Sequence, residues 1–167
     1  MSSPSIDYTQ YKDTLIPLNL PAFAAPLRVI GADNRLQIRD PYRRKWVPCT
    51  PEEWVRQHLL HYLCAYKGYP PQAIGVELPV PGALRRDRAD ALVHGPASRP
   101  VLLLEFKAPD VPLGQAVLDQ ALRYNLYFQA PWIGLSNGRE HVLLQTELPH
   151  KGLQPLDALP PYTRLAP

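Results

Sequence analysis

Val101-Leu102-Leu103-Leu104-Glu105-Phe106-Lys107 is an apolar run that closes on a charged pair, and Arg88-Ala89-Asp90 precedes it at hairpin distance. Side chains alternate between the two faces of a strand, so Glu105 and Lys107 point the same way. Folding the two segments antiparallel about Gly95-Pro96-Ala97-Ser98-Arg99-Pro100, with the midpoint between Ala97 and Ser98, sets Asp90 opposite Glu105. Both carboxylates then share one face. The same register pairs Leu102 with Val93, Leu104 with Ala91 and Phe106 with Ala89, which leaves the reverse face wholly apolar and suited to a packed core. Directly opposed like charges weaken a sheet, so a cation is expected between the two acids.

A pair of carboxylates is a hard oxygen site suited to Mg²⁺, an ion that keeps several waters and completes its shell with substrate phosphate oxygens. Such an ion eases deprotonation of water and offsets charge on phosphoryl oxygens during in-line attack. Lys107, two residues beyond Glu105, is placed to orient the water or to stabilise the same charge. These are the parts of a phosphodiester hydrolase.

Outward from this hairpin, Thr50-Pro51-Glu52-Glu53 carries the marks of a helix start: a Thr cap, Pro at the first helical position and Glu three residues after the cap. The helix is expected to reach Tyr66 and stop at Gly68, burying Trp54, Val55, Leu59, Tyr62, Leu63 and Tyr66. Glu53 is accounted for equally as the return partner of a capping box or as an acid near the metal. His58 and His61 lie one turn apart with no third ligand spaced to join them, so they read as surface or boundary histidines. A strand is expected from Ile74 to Val80, a turn at Pro81-Gly82, and the Asp90 strand from Leu84 to His94.

After Pro109 and Pro112, a second helix spans roughly residues 113–129. On it, Gln120 and Tyr124 share a face and suit hydrogen bonding to a phosphate or base edge, or an amphipathic boundary. Trp132 to Leu135 and Val142 to Gln145 form a hairpin about Asn137-Gly138. A small hairpin, Leu27 to Ile30 with Leu36 to Ile38, precedes the first helix. The order helix, three strands, helix, strand pair implies an α/β fold: a central mixed β-sheet flanked by helices, with a parallel crossover through the second helix.

The 167 residues suit one domain, read as an extended or partly disordered lead-in over 1–25, a main body over 26–147 and a Pro-rich tail over 148–167 that wraps the surface or stays loose. Cys49 and Cys64 make neither a disulfide framework nor a paired zinc motif. The N-terminus has no apolar signal segment and no run is long enough to span a bilayer, so a cytoplasmic protein with reduced thiols and no membrane partner is expected. The formal charge is only +3, but Arg39, Arg43, Arg44 and Lys45 cluster, as do Arg85, Arg86 and Arg88 just ahead of Asp90. Local patches of this kind bind phosphate backbones, and Arg86 and Arg88 are the better placed.

Asp90 followed by Glu105-Phe106-Lys107 resembles the PD-(D/E)xK nuclease superfamily, although Ala89 stands where the motif's name has proline, and Gln120-Ala121-Leu122-Arg123-Tyr124 resembles the QxxxY signature of its RecB-like branch. Residues 38–45, 50–58, 103–109 and 119–125 together resemble the N-terminal nuclease domain of type I restriction enzyme R subunits, particularly short stand-alone relatives. The resemblance implies a restriction-endonuclease-like fold and DNA as substrate. It implies Mg²⁺, with Mn²⁺ as a substitute, held by Asp90, Glu105 and the Phe106 carbonyl, with Lys107 as the catalytic lysine and Glu53 as an auxiliary acid. No G-x-x-x-x-G-K-[ST] loop is present, so motor activity is expected only from a partner. The expected function is a Mg²⁺-dependent deoxyribonuclease; the alternative is a non-catalytic or partner-dependent nucleic-acid-binding module of a restriction or defence assembly. Expected partners are DNA, a second copy of the chain, which cutting of two strands favours, and a motor or specificity subunit.

Overall fold

In the computed structural model, which describes residues 7–82, 87–146, 154–155 and 159–166, the elements run β1 (Leu27–Ile30), β2 (Arg35–Asp40), β3 (Lys45–Pro48), α1 (Pro51–Lys67), β4 (Ile74–Pro79), β5 (Arg88–His94), β6 (Pro100–Phe106), α2 (Gln115–Phe128), β7 (Trp132–Ser136), β8 (His141–Gln145), β9 (Gln154–Pro155) and α3 (Tyr162–Leu165). Strands β1-β2-β3 form one sheet, and β4-β5-β6-β7-β8-β9 lie side by side in a second. Neighbours in the larger sheet are antiparallel except β6 and β7, which run parallel across the α2 crossover. This is the expected mixed sheet with helices. The third strand of the small sheet was not anticipated: Lys45-Trp46-Val47-Pro48 is a short run that gains its identity by pairing with β2, Ile38 opposite Val47.

The β5–β6 hairpin takes the expected register, with Val93 opposite Leu102 and Ala91 opposite Leu104, and a bulge between Val93 and His94 absorbs the irregular loop. Ala91, Val93, Leu102, Leu104 and Phe106 pack in one core with Val55, Leu59, Leu60 and Leu63 of α1. Ala89 departs from this set and joins Leu92, Leu103 and Ile133 in the core beneath Val117, Leu118 and Ala121 of α2. Gly134 on β7 is required by close approach, because a Cβ there would stand 2.6 Å from Leu104 Cδ2.

Thr50 caps α1 as expected, its hydroxyl accepting from Glu53 N at 3.1 Å, and Gly68 ends the helix in the left-handed region at φ 71°. Leu60, outside the expected stripe, is fully buried, while Tyr66, expected in it, is 58% exposed and stacks on Tyr62 instead. The β7–β8 connection is also longer than a two-residue turn. Ser136 pairs with His141, and the Asn137 side chain organises the four-residue loop by accepting from Arg139 N and Glu140 N at 3.0 and 2.8 Å. Near the C-terminus, Leu159 and Leu165 enter the α1 core and the Tyr162 hydroxyl donates to His94 O at 2.8 Å, so residues 159–166 are packed rather than loose. The lead-in is likewise tied down where Trp54 Nε1 donates to Ile16 O at 3.0 Å.

Leu60→Ala should lower the unfolding free energy by about 2–5 kcal/mol, whereas Tyr66→Ser should change it by no more than about 0.5 kcal/mol. Urea unfolding of the two variants beside the parent chain checks the difference.

Candidate functional site

The β5–β6 ladder of backbone pairs ends at Ala91 and Leu104, one residue short of the two acids. Beyond that point side chains take over the cross-strand bonds. Phe106 N donates to Asp90 Oδ2 at 2.7 Å and Asp90 N donates to Glu105 Oε1 at 3.4 Å. Each carboxylate thus accepts from the backbone of the opposite strand. This reciprocal arrangement gives each carboxyl group an amide donor from the opposite strand where the backbone ladder has ended.

The cation found beside Asp90 is an arginine of α1, which contacts Asp90 alone of the two acids and is not the divalent ion expected between them. Arg56, on the buried side of α1, donates through Nη2 to Asp90 Oδ1 at 2.5 Å and through Nη1 to Glu53 Oε2 at 2.9 Å, and its Nη1 lies 2.7 Å from Glu77 Oε1. The network continues outward. Arg43 Nη2 donates to Glu53 Oε1 at 2.7 Å, and its Nε pairs with Asp40, which is fully buried and also accepts from the backbone amides of Tyr42 and Arg43. Gln57 Nε2 donates to Glu53 Oε1 at 2.9 Å. Glu53 therefore does not complete a capping box, because three cationic or amide donors compete successfully for its carboxylate while Thr50 N donates to Pro48 O. Arg43, read as part of a phosphate-binding cluster, is spent on internal ion pairs. Arg44 and Lys45 beside it are exposed.

Glu77 reaches Arg56 from a left-handed backbone, φ 53°, at the point where β4 skips a pairing between Val76–Ala91 and Leu78–Ala89. A non-glycine residue held there costs about 1–3 kcal/mol, a strain that the Arg56 contact and the bond from Arg88 Nη1 to Glu77 O, 2.8 Å, help to hold. On the other flank, Gln120 Nε2 of α2 donates to Glu105 Oε2 at 3.3 Å and to the Tyr124 hydroxyl at 3.4 Å, while Lys107 Nζ donates to Gln120 Oε1 at 3.2 Å. Gln120 so joins the lysine to the acid. Asn125, the other polar neighbour on α2, is engaged elsewhere, bonding both ways with the backbone of Ala130 at 2.9 Å.

Burial, and then the charge of Asp90, push the Glu105 carboxyl up to about 9. Glu52 at the mouth of the cluster is raised by the same two causes. Burial works against the charge of Arg56, yet the carboxylates of Asp90, Glu53 and Glu77 hold its affinity for the proton above the ordinary value. Six carboxylates (Asp40, Glu52, Glu53, Glu77, Asp90, Glu105) thus surround three cations, Arg43, Arg56 and Lys107. The excess of negative charge is an attraction for a further cation.

Of the residues singled out in the sequence, Asp90, Glu105, Lys107, Gln120 and Tyr124 meet in one hydrogen-bonded group, with Phe106 joined through its amide. Glu53 is linked to Asp90 through Arg56 rather than directly, Arg88 lies at the β4 edge of the group, and Arg86 lies outside the described residues, as does Arg85. His58 is buried with Nδ1 against Trp54 O at 2.8 Å, and so is an interior rather than a surface or boundary histidine. Among the described residues no three His, Cys, Asp or Glu side chains surround a point that could hold a metal.

Residues 51–160, which contain all of these groups except Asp40 and Arg43, match the family model for the type I restriction enzyme R protein N terminus. The chain belongs to this family. A solved fragment described as an HsdR subunit of a type I restriction enzyme from Vibrio vulnificus YJ016 shares the fold, with a TM-score of 0.56 and 19% identity over 68% of this chain. The chain spans 24% of the length of that solved fragment. No curated protein sequence matches the chain. For this R-protein N-terminal domain, no helix among the described residues is long and apolar enough to cross a membrane.

The raised Glu105 pKa has a consequence for stability. Between the ordinary carboxylate value of 4.5 and about 9 the folded state binds more protons at this site than the unfolded state, so its contribution to stability falls as pH rises through that window. Glu105→Gln keeps the shape and removes the charge. In EDTA-containing buffer its thermal midpoint should exceed that of the parent at pH 8, and the gap should close as the pH is lowered towards 4.5; an unchanged or reversed gap would contradict the burial of charge described here.

Proposed function

We propose that this R-protein N-terminal domain is a metal-dependent deoxyribonuclease that hydrolyses DNA phosphodiester bonds. The observation that carries the reading is the meeting of the Asp90 and Glu105 carboxylates at the strand divergence, with the Lys107 ammonium tied to Glu105 through Gln120. The donor set suits Mg²⁺: only hard oxygens face one another, the local charge is negative, and this ion accepts one or two carboxylates with the rest of its shell from water and phosphate. Asp90, Glu105 and the Phe106 carbonyl would hold it, and Mn²⁺ would substitute. When bound, the ion supplies Lewis acidity, making water a usable nucleophile at neutral pH and offsetting charge on the phosphoryl oxygens.

The remaining work falls to the chain's own groups. Lys107 donates to a phosphoryl oxygen or to the attacking water, and Gln120 holds that ammonium against the acid pair so that it does not swing into solvent. The water oxygen bonds to phosphorus as the ester P–O bond on the far side breaks. Tyr124 and Gln120 offer hydrogen bonds to the neighbouring backbone phosphate or a base edge, and Arg88 with Arg86 supplies charge for the approaching duplex. Glu53 acts through Arg56 as a positioning residue. A second copy of the chain would serve the second strand, and motor or specificity subunits of a restriction assembly would deliver the DNA.

A second reading, a binding module that cuts only within a larger assembly, draws on the fact that the chain spans a quarter of the HsdR fragment it resembles. Incubation with supercoiled plasmid and linear DNA in Mg²⁺, Mn²⁺ or EDTA separates the two. The nuclease reading expects cutting that EDTA stops, that Glu105→Ala abolishes and that Lys107→Ala lowers by at least about 100-fold. Equal residual cutting by the parent and Glu105→Ala chains would refute it, and salt-sensitive DNA binding without cleavage would select the binding module.

A further inference from the structure

We propose that the Arg56 guanidinium stands where a second divalent cation would otherwise bind, and so confines the acid cluster to one metal ion. The inference rests on the nuclease reading above and specifies its metal count. Arg56 is 3% exposed and its two terminal nitrogens are shared among carboxylates from three separate elements: Glu53 of α1 at 2.9 Å, Glu77 of β4 at 2.7 Å and Asp90 of β5 at 2.5 Å, with Glu52 at 3.9 Å. Convergence of acids from different elements on one buried cation is the ligand pattern of a divalent ion, and in two-metal hydrolases a shared carboxylate separates ions about 3.5–4 Å apart. Asp90 has that intermediate place here. Its Oδ1 faces Arg56, and its Oδ2 lies towards β6, where it accepts from Phe106 N beside Glu105.

Three further features support a permanent occupant rather than an incidental ion pair. A guanidinium never loses its proton under ordinary conditions, so the place is filled at every pH at which the protein is folded. The Arg56 guanidinium carbon lies 5.9 Å from the centre of the Phe106 ring, and its Nε is buried without a hydrogen-bond partner, so the terminal nitrogens alone make its hydrogen bonds. With Arg56 in place, no three His, Cys, Asp or Glu side chains among the described residues surround a point that could hold a metal. Glu77 keeps a left-handed backbone at φ 53° to deliver its carboxylate to this group. Truncating Arg56 would leave Glu53, Glu77 and Asp90 unneutralised around a vacated volume that an ion can draw together.

The test is metal stoichiometry on the full chain without DNA, by calorimetric Mn²⁺ titration and by electron paramagnetic resonance of free Mn²⁺. The parent should bind one ion per chain, Arg56→Ala two, and Arg56→Lys one; Arg56→Ala combined with Glu77→Gln should return to one. Circular dichroism establishes that each variant is folded. Two ions on the parent, or one on a folded Arg56→Ala chain, would overturn the proposal while leaving the nuclease reading intact. If Arg56→Ala does not fold, Arg56→Gln, which keeps the volume and removes the charge, takes its place, two ions supporting the proposal and one refuting it. No Mn²⁺ binding by the parent would remove the nuclease reading itself and this inference with it.

Discussion

Two carboxylates that leave a β-ladder side by side must be stabilised by something other than each other, and the structure around Asp90 and Glu105 answers that constraint. Their strands stop pairing through backbone one residue early, and each acid accepts the amide of the opposite strand. Asp90 is then held from the α1 side by Arg56, and Glu105 from the α2 side by Gln120. The two helices that bury the faces of the sheet therefore also supply the polar partners of its acids. Packing and chemistry are coupled through the same elements: a shift of α1 that loosened Val55, Leu59 and Leu60 in the core would carry Arg56 away from Asp90.

The hairpin register was legible because alternation and loop length leave few ways to pair two apolar runs, and a one-residue slip would expose the whole core face. Strand period places Asp90, Glu105 and Lys107 together and helix period places Gln120 with Tyr124, but only the family resemblance joins the two sets. Neither Arg56 nor Glu77 is singled out by local pattern, although helical spacing carries a signal for Arg56. Glu53, Arg56, Leu60 and Leu63 follow helical spacing on the buried side, so a charged pair lay on a stripe read only for its apolar members. The observed pairs Val76–Ala91 and Leu78–Ala89 place Glu77 across from Asp90, a register centred two residues beyond the Pro81-Gly82 turn and so not predicted by it. What local pattern does not show is the left-handed backbone at Glu77, which arises from long-range contacts with α1 and Arg88.

Other departures share that cause. The Thr50 box promised Glu53 to its own helix start, a local bond in competition with Arg43, Arg56 and Gln57. Charge-assisted bonds in a buried setting are stronger than a return bond at a helix terminus, so the tertiary partners win. Likewise a run of four basic residues around Arg43 reads as surface until Asp40 is seen to be buried beneath it. Composition shows where charge is; only the fold shows which charges are already neutralised.

The alternation Asp40, Arg43, Glu53, Arg56, Asp90 runs from the small sheet through α1 to the edge of the proposed metal site. Each member is buried or half-buried and faces neighbours of opposite sign, so no single charge can move without exposing the next to an unbalanced field. Breaking one link in such a chain costs more than the link contributes, because the charges on either side stay buried. The small β1–β3 sheet, which supplies no acid to the hairpin itself, thereby fixes the position of Asp90 at a distance. A sheet that would otherwise be an appendage is an anchoring part of the site, and its attachment to α1 through Trp54 and the core of Leu36, Ile38 and Val47 gives the chain a rigid base.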